Sequence, residues 1–261
     1  MEITVALGQM AIVRDRPDLN EATARSLASQ ASKQKADLLV LPELWPTGYH
    51  LSRAEEYASP LDGGPFALMS GLARMHGMAL VGSALESNAD GPPFNTAALF
   101  GPDGALLAAY RKVHLFPPMG EAEYLAPGVD LPLFDLPWGR TALAICYDLR
   151  FPEMWRRYAF GGAQLIVIPA EWPAVRVEHW RLLLRARAVE NQLFVVGCNR
   201  AGEDIDGLFG GHAAAIDPMG EAIVEGGSEA GLFVATLELD QVAAVRRRLP
   251  FLNDRRPEVY G

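Results

Sequence analysis

The chain has 261 residues, 50% of them hydrophobic and 21% charged, enough apolar material to bury a sizeable core without metal or disulfide support. Its net charge of −9 argues against nucleic acid or an anionic membrane as partner, since both require clustered Lys and Arg. The length suits one large α/β domain better than two small ones, so 1–261 is expected to fold as a single unit.

Met1-Glu2-Ile3-Thr4-Val5 carries no basic region and meets Gly8-Gln9 before a long apolar run develops. It predicts a first strand, Ile3 to Gln9, rather than an export signal. Pro17 to Lys35 predicts a helix with Pro in its first turn. Asp37 to Leu41 predicts a short buried strand ending at Pro42-Glu43, Leu61 to His76 a second helix and Met78 to Leu85 a third strand. Thr96 to Phe100 and Leu106 to Arg111 flank the turn sequence Gly101-Pro102-Asp103-Gly104, and Leu133 to Leu136 and Arg140 to Cys146 flank Pro137-Trp138-Gly139. Ala163 to Ile168 follows as a strand, then Val177 to Gln192 as a long helix and Leu193 to Cys198 as a strand. Ala213 to Ile216 and Ala222 to Glu225 form a third hairpin around Asp217-Pro218-Met219-Gly220. Gly231 to Leu239 is the last predicted strand and Gln241 to Arg248 the last helix. Residues 250–261 read as a polar, Pro-containing tail that packs on a neighbouring surface. Hairpins mixed with strand–helix units predict mixed sheets.

No window approaches the roughly 20 apolar residues of a membrane-spanning helix. Cys146 and Cys198 form at most one bridge, so free thiols in a reducing compartment are expected, with the cytoplasm as location. There is no His-Glu-x-x-His pair, Gly-x-Ser-x-Gly elbow, Walker loop or Gly-x-Gly-x-x-Gly fingerprint, and two cysteines do not build a zinc cluster.

Three candidate chemical residues close predicted strands: Glu43 after Asp37 to Leu41, Lys112 after Leu106 to Arg111, and Cys146 after Arg140 to Ile145. Carboxyl ends of strands are where open α/β sheets build their sites. Taken singly, each has a plain structural reading. Cys146 fits a small buried hydrophobe, Lys112 a solvated lysine after a hairpin, and Glu43 a structural carboxylate paired with an internal cation.

Together, Leu41-Pro42-Glu43, Tyr110-Arg111-Lys112-Val113-His114-Leu115-Phe116 and Cys146-Tyr147-Asp148-Leu149-Arg150-Phe151-Pro152-Glu153 resemble the three signature segments of the carbon–nitrogen hydrolase (nitrilase-like) superfamily, in the same order. Gly8-Gln9, Pro169 to Trp172, Arg185 to Gln192 and Asn199-Arg200 extend the resemblance over nearly the whole chain. It implies an α/β fold, an α-β-β-α sandwich with two mixed β-sheets, and a Glu43–Lys112–Cys146 triad. It also implies a second glutamate between the Lys and Cys segments. Glu121 and Glu123 both precede Leu125-Ala126-Pro127-Gly128, and position favours Glu121, to orient substrate and lysine.

The expected mechanism needs no metal or cofactor. Glu43 takes the proton of the Cys146 thiol and later gives it to departing ammonia. Lys112 and the Tyr147 backbone N–H stabilise the oxyanion, and water cleaves the thioester. The residues after Cys146, with Glu171-Trp172-Pro173, Glu178-His179-Trp180 and Asn199-Arg200, resemble amidase and omega-amidase-like branches. That implies a small-molecule amide substrate, such as the terminal amide of a dicarboxylic monoamide, with Arg176 as candidate carboxylate partner and Tyr49 and Trp172 as candidate pocket walls. Nitrile or N-carbamoyl hydrolysis and acyl transfer are the alternatives within the same chemistry. A non-catalytic binding scaffold is the alternative outside it, and the intact triad speaks against that. Cys198 reads as core filler, and His114 and His179 as structural histidines. A homodimer or larger homo-oligomer is the default state that the family implies.

Overall fold

The structure, a computed structural model, describes residues 1–260, with the side chain of Tyr260 excepted. One six-stranded sheet contains β1 (Glu2–Gln9), β2 (Leu38–Val40), β3 (Ala79–Glu86), β4 (Phe94–Phe100), β5 (Leu106–Arg111) and β14 (Gly231–Glu238), in the order β14-β1-β2-β3-β4-β5. The other contains β6 (Phe134–Leu136), β7 (Gly139–Leu143), β8 (Leu165–Ala170), β9 (Phe194–Asn199), β12 (Ala214–Ile216) and β13 (Ala222–Glu225), in the order β13-β12-β9-β8-β7-β6. A small hairpin, β10 (Glu203–Asp204) and β11 (Gly207–Leu208), stands apart. Helices follow in chain order as α1 (Pro17–Lys33), α2 (Ala54–Tyr57), α3 (Gly64–His76), α4 (Glu121–Tyr124), α5 (Pro152–Phe160), α6 (Val177–Asn191), α7 (Asp240–Arg248) and α8 (Pro257–Tyr260).

Both sheets are mixed, with parallel strands at the centre (β1-β2-β3 and β7-β8-β9) and antiparallel strands outside. The central strands read as continuous apolar runs because both of their faces are covered. Alternation sorts their side chains between two cores. Val5, Leu7, Leu38 and Val40 join the core between the sheets, with Val167 and Val196 of the second sheet. Ala6, Leu39 and Leu80 face outward and pack on Ala24, Leu27 and Ala28 of α1 and on Phe66 and Met69 of α3. On the other side α6 lies close against β9: a Cβ added at Gly197 would stand 2.6 Å from the Trp180 ring. Glycine is there for that approach.

The topology brings four strand ends to one rim. β2, β7 and β8 are central parallel strands, and β5 runs in the direction of β3 because two antiparallel pairings separate them. The chain therefore leaves β2, β5, β7 and β8 toward Glu43, Lys112, Cys146 and Glu171.

Several predicted boundaries shift for local reasons. The strand expected to run to Cys146 ends at Leu143, and Cys146–Arg150 instead forms a 3-10 turn that leads into α5. The helix predicted to Lys35 ends at Lys33, since Lys35 adopts a left-handed φ of 57° that redirects the chain into β2. The single turns α2 and α4 and the β10–β11 hairpin are too short for hydrophobic periodicity to reveal. The expected tail forms a 3-10 turn at Phe251–Asp254 and then α8, and Arg255 lies over the Phe160 ring at the end of α5, 4.3 Å from its centroid. Gly261, the last residue of that tail, lies outside the described residues.

Candidate active site

Glu43, Lys112 and Glu121 have no exposed surface and interlock by hydrogen bonds. Lys112 Nζ donates to Glu43 Oε1 at 2.8 Å, to Glu121 Oε1 at 2.6 Å and to the Tyr49 hydroxyl at 3.3 Å. Glu43 Oε1 also accepts from Asn95 Nδ2 at 2.9 Å, and its Oε2 accepts from the Glu171 backbone N–H at 3.0 Å. Glu121 Oε1 accepts the Tyr49 hydroxyl at 2.7 Å, and Oε2 accepts the Phe116 backbone N–H at 2.8 Å. Of the two glutamates left open by the sequence, Glu121 faces Lys112 and Glu123 is exposed.

An ammonium between two carboxylates is what makes this burial tolerable, since an isolated charge in such a place costs several kcal/mol. Burial works against the Lys112 ammonium, but Glu121 and Glu43 outweigh it and hold its pKa above the ordinary lysine value. It stays charged. Burial raises Glu121, Lys112 opposes that, and Glu43 adds to the rise. Burial, Glu121 and Glu43 raise Tyr49, which remains a phenol and a donor.

Cys146 adopts a left-handed φ of 44°, a conformation that costs a non-glycine residue roughly 1–3 kcal/mol. Its thiol is pushed well above the ordinary range, by burial first and the Glu43 carboxylate second, while Lys112 pulls it back in part. The resting sulfur is protonated, and the carboxylate that raises it also shares a hydrogen bond with the thiol, so it stands ready to accept its proton.

Cys146 opens onto a cavity of about 160 Å³ lined also by Tyr49, Phe116, Met119, Tyr147, Arg150, Trp172 and Arg176. All four residues expected at the substrate, Tyr49, Tyr147, Trp172 and Arg176, thus border one space. Their surroundings differ. Tyr49 is a member of the buried acid–base cluster, and Trp172 Nε1 donates to the Arg176 carbonyl at 2.8 Å while its ring packs on Trp180. Arg176 is half-buried over the Phe116 ring, 5.7 Å from its centroid. Arg150, which carried no separate role in the sequence reading, stands over Trp172 at 4.6 Å. Asn95 and Glu171 were also missed. A polar residue inside the apolar run after Phe94 was the only signal for Asn95.

Residues 4–247 match the family model of the carbon-nitrogen hydrolases. The chain belongs to that family. A 2-oxoglutaramate amidase of Bacillus subtilis is 38% identical to this hydrolase over 260 residues, covering 100% of both chains. A CN-hydrolase superfamily protein of Xanthomonas campestris, solved with an arsenic adduct in its active site, superposes with a TM-score of 0.91 at 30% identity, over 98% of each chain. A mutant amidase of Nesterenkonia sp. AN1, solved after Michael addition of acrylamide at its active-site cysteine, gives a TM-score of 0.87 at 32% identity, over 99% of this chain and 98% of that one. The hydrolase is a cysteine-dependent enzyme acting on amide carbon–nitrogen bonds. No described helix is long and apolar enough to cross a membrane.

Glu171, in the wall of the same cavity, gives the hydrolase a pH-sensitive element. Its side chain is buried against Arg200, with Arg200 Nη1 donating to Oε2 at 2.7 Å. Burial pushes its carboxyl up to about 8, against the pull of Arg200 and with help from Glu43. A carboxyl raised in the folded state stabilises the fold most where it is protonated, and that contribution is lost as pH climbs through the folded pKa. The thermal midpoint is therefore expected to fall between about pH 6 and pH 9, and to fall less in Glu171→Gln. Equal slopes in calorimetric scans of both proteins would show that Glu171 does not titrate there.

Proposed function

We propose that this hydrolase removes the terminal amide of a small dicarboxylic monoamide, of the 2-oxoglutaramate type, releasing ammonia and the diacid. One observation carries the choice of substrate. Arg150 and Arg176 border the cavity beside Cys146, and neither has a carboxylate partner among the described residues. Burial and the charge of Arg176 both lower the pKa of Arg150, so this pair of like charges is unfavourable until an anion joins it. The two acidic residues at the cavity are engaged elsewhere, Asp206 by Arg14 at 2.6 Å and Glu171 by Arg200 at 2.7 Å. A substrate carboxylate held by the two guanidiniums directs its far end, the amide, toward Cys146. The 2-oxoglutaramate amidase relative supports the same class.

In this proposal Glu43 accepts the Cys146 proton as sulfur attacks the amide carbon, and Lys112 and the Tyr147 N–H receive the oxyanion. Collapse of the tetrahedral intermediate expels ammonia, which takes the proton from Glu43, and leaves a thioester. Water then attacks the thioester, with Glu43 as base again. The sulfur leaves and recovers a proton, and the acid is released. Glu121 and Tyr49 hold Lys112 in place throughout. The proposal also keeps the enzyme in the reducing cytoplasm as a homodimer, with exposed Leu182 and Val189 on α6 and Phe160 on α5 available for burial between copies.

Replacing Arg150 or Arg176 with methionine is expected to raise KM for 2-oxoglutaramate by roughly 10-fold to 100-fold, the worth of one charged hydrogen bond. An uncharged primary amide is expected to change by less than about threefold, since it makes no such bond. Steady-state kinetics on the two substrates provide the check. Equal losses on both would remove the carboxylate from the proposal.

A further inference from the structure

Lys112 and Cys146 end strands of different sheets, β5 and β7, so no backbone ladder fixes one against the other. What joins them at the rim is the carboxylate of Asp148, which is fully buried. Its Oδ1 accepts the His114 backbone N–H at 3.1 Å and the His114 ring at Nδ1 at 2.7 Å. Its Oδ2 accepts the Tyr110 hydroxyl at 2.8 Å and the Ile145 backbone N–H at 2.9 Å. The Tyr110 oxygen in turn accepts the Val113 N–H at 3.2 Å. Of the four donors to Asp148, three belong to the segment around Lys112 and one to the residue before Cys146.

We propose that Asp148 is a positioning residue for the reaction, whose carboxylate clamps the turn carrying Cys146 to the segment carrying Lys112. The proposal rests on the roles proposed for Cys146 and Lys112. The turn needs such a clamp because it begins with Cys146 in a left-handed conformation and also carries the Tyr147 N–H and Arg150 to the cavity. A carboxylate suits the position, since both oxygens accept and all four groups facing them donate. The ring nitrogen Nδ1 of His114 carries its proton toward Asp148, and the ring lies flat on Phe151, 3.7 Å between centroids with a 7° angle. Trp155 Nε1 donates to the Asp148 carbonyl at 3.1 Å and secures the turn from behind. Asparagine at 148 turns one acceptor into a donor, which then faces either His114 or the Tyr110–Ile145 pair. The turn shifts relative to Lys112.

The test compares Asp148→Asn and Tyr110→Phe with the parent enzyme on an uncharged primary amide, with active sites titrated by iodoacetamide. Asp148→Asn is expected to lower kcat per titrated site by about 10-fold to 100-fold, the scale of a small misplacement of reacting groups, with KM within about threefold. The rate of Cys146 alkylation is expected to fall with it. Tyr110→Phe, which removes one of the four donors and keeps the ring, is expected to lower kcat by roughly threefold to 10-fold. If Asp148→Asn does not fold, Tyr110→Phe decides alone. Parental kcat per site and parental alkylation rate in the variants that fold would overturn the clamp, as would a rise in KM at unchanged kcat. Retained hydrolysis in Cys146→Ala would instead remove the nucleophile assignment on which the clamp rests, so the two failures are distinguishable.

Discussion

Cys146→Ala is expected to lower kcat by at least about 10⁴-fold, because loss of the proposed nucleophile leaves only binding and the proposed oxyanion donors. The fold should survive. Alanine loses one buried sulfur atom and keeps the Cβ, and the left-handed φ of 44° strains both residues alike. The thermal midpoint is therefore expected to move by no more than a few degrees, about the shift that 1 kcal/mol produces in a chain of this size. Intact-mass measurement supplies a second readout. A slowly hydrolysed amide should add the mass of its acyl group to the parent protein, and nothing to the variant. Cys198 is not a rescue: it is fully buried, and burial raises its thiol above the ordinary range. Ammonia release by Cys146→Ala near the parental rate would refute the assignment.

Lys112→Met tests the other half of the site, and its effect falls on stability as well as rate. Removing the ammonium strips Glu43 Oε1 and Glu121 Oε1 of their shared cation while both remain buried. Breaking a buried pair in this way costs about 3–5 kcal/mol. For a chain of this length that corresponds to a fall in thermal midpoint of roughly 6–20 °C near pH 8. Loss of the proposed oxyanion donor is expected to lower kcat by about 10²-fold to 10³-fold. The stability loss has a definite pH dependence. Without Lys112, the burial that raises the Glu121 carboxyl loses the charge that opposed it, so the variant is most stable where Glu121 is protonated and weakens as pH rises through its folded pKa. Its deficit against the parent should therefore shrink on acidification from about pH 8 to about pH 5. A deficit that does not change with pH in calorimetric scans would show that Lys112 is not offsetting those charges.

The Glu171 and Lys112 variants probe two ionisable groups of one connected cluster, since the Glu171 backbone N–H binds Glu43 and Lys112 binds the other Glu43 oxygen. Their effects are not expected to be additive.

How much of this was readable before any coordinates differs from residue to residue. The segments around Glu43, Lys112 and Cys146 carried the family resemblance in their chemistry and order, and the structure places all three, with Glu121, around one buried cluster. The central strands were legible because a strand covered on both faces must be apolar through its length, as Leu165–Ala170 and residues 194–198 are. The end of β7 was not legible. Apolar character continues through Ala144 and Ile145, and only the left-handed Cys146 and its turn stop the strand. Arg150, Asn95 and Glu171 escaped because their significance depends on what they lack or touch across the fold. Arg150 matters through a missing carboxylate, and Asn95 and Glu171 through Glu43, 52 and 128 residues away in sequence.

The amino-acid sequence by itself determined the alternation of buried strands and amphipathic helices, and the acid, ammonium and thiol that the proposed chemistry uses. Those are properties of short windows, where apolar periodicity and residue type are read directly. Only the tertiary structure decided that Glu121 rather than Glu123 meets Lys112, that two arginines without a carboxylate partner among the described residues share one cavity, and that Asp148 joins segments from different sheets. Such facts follow from which strand ends meet at a common rim, and hydrogen bonds between side chains far apart in the chain leave no periodic trace in it.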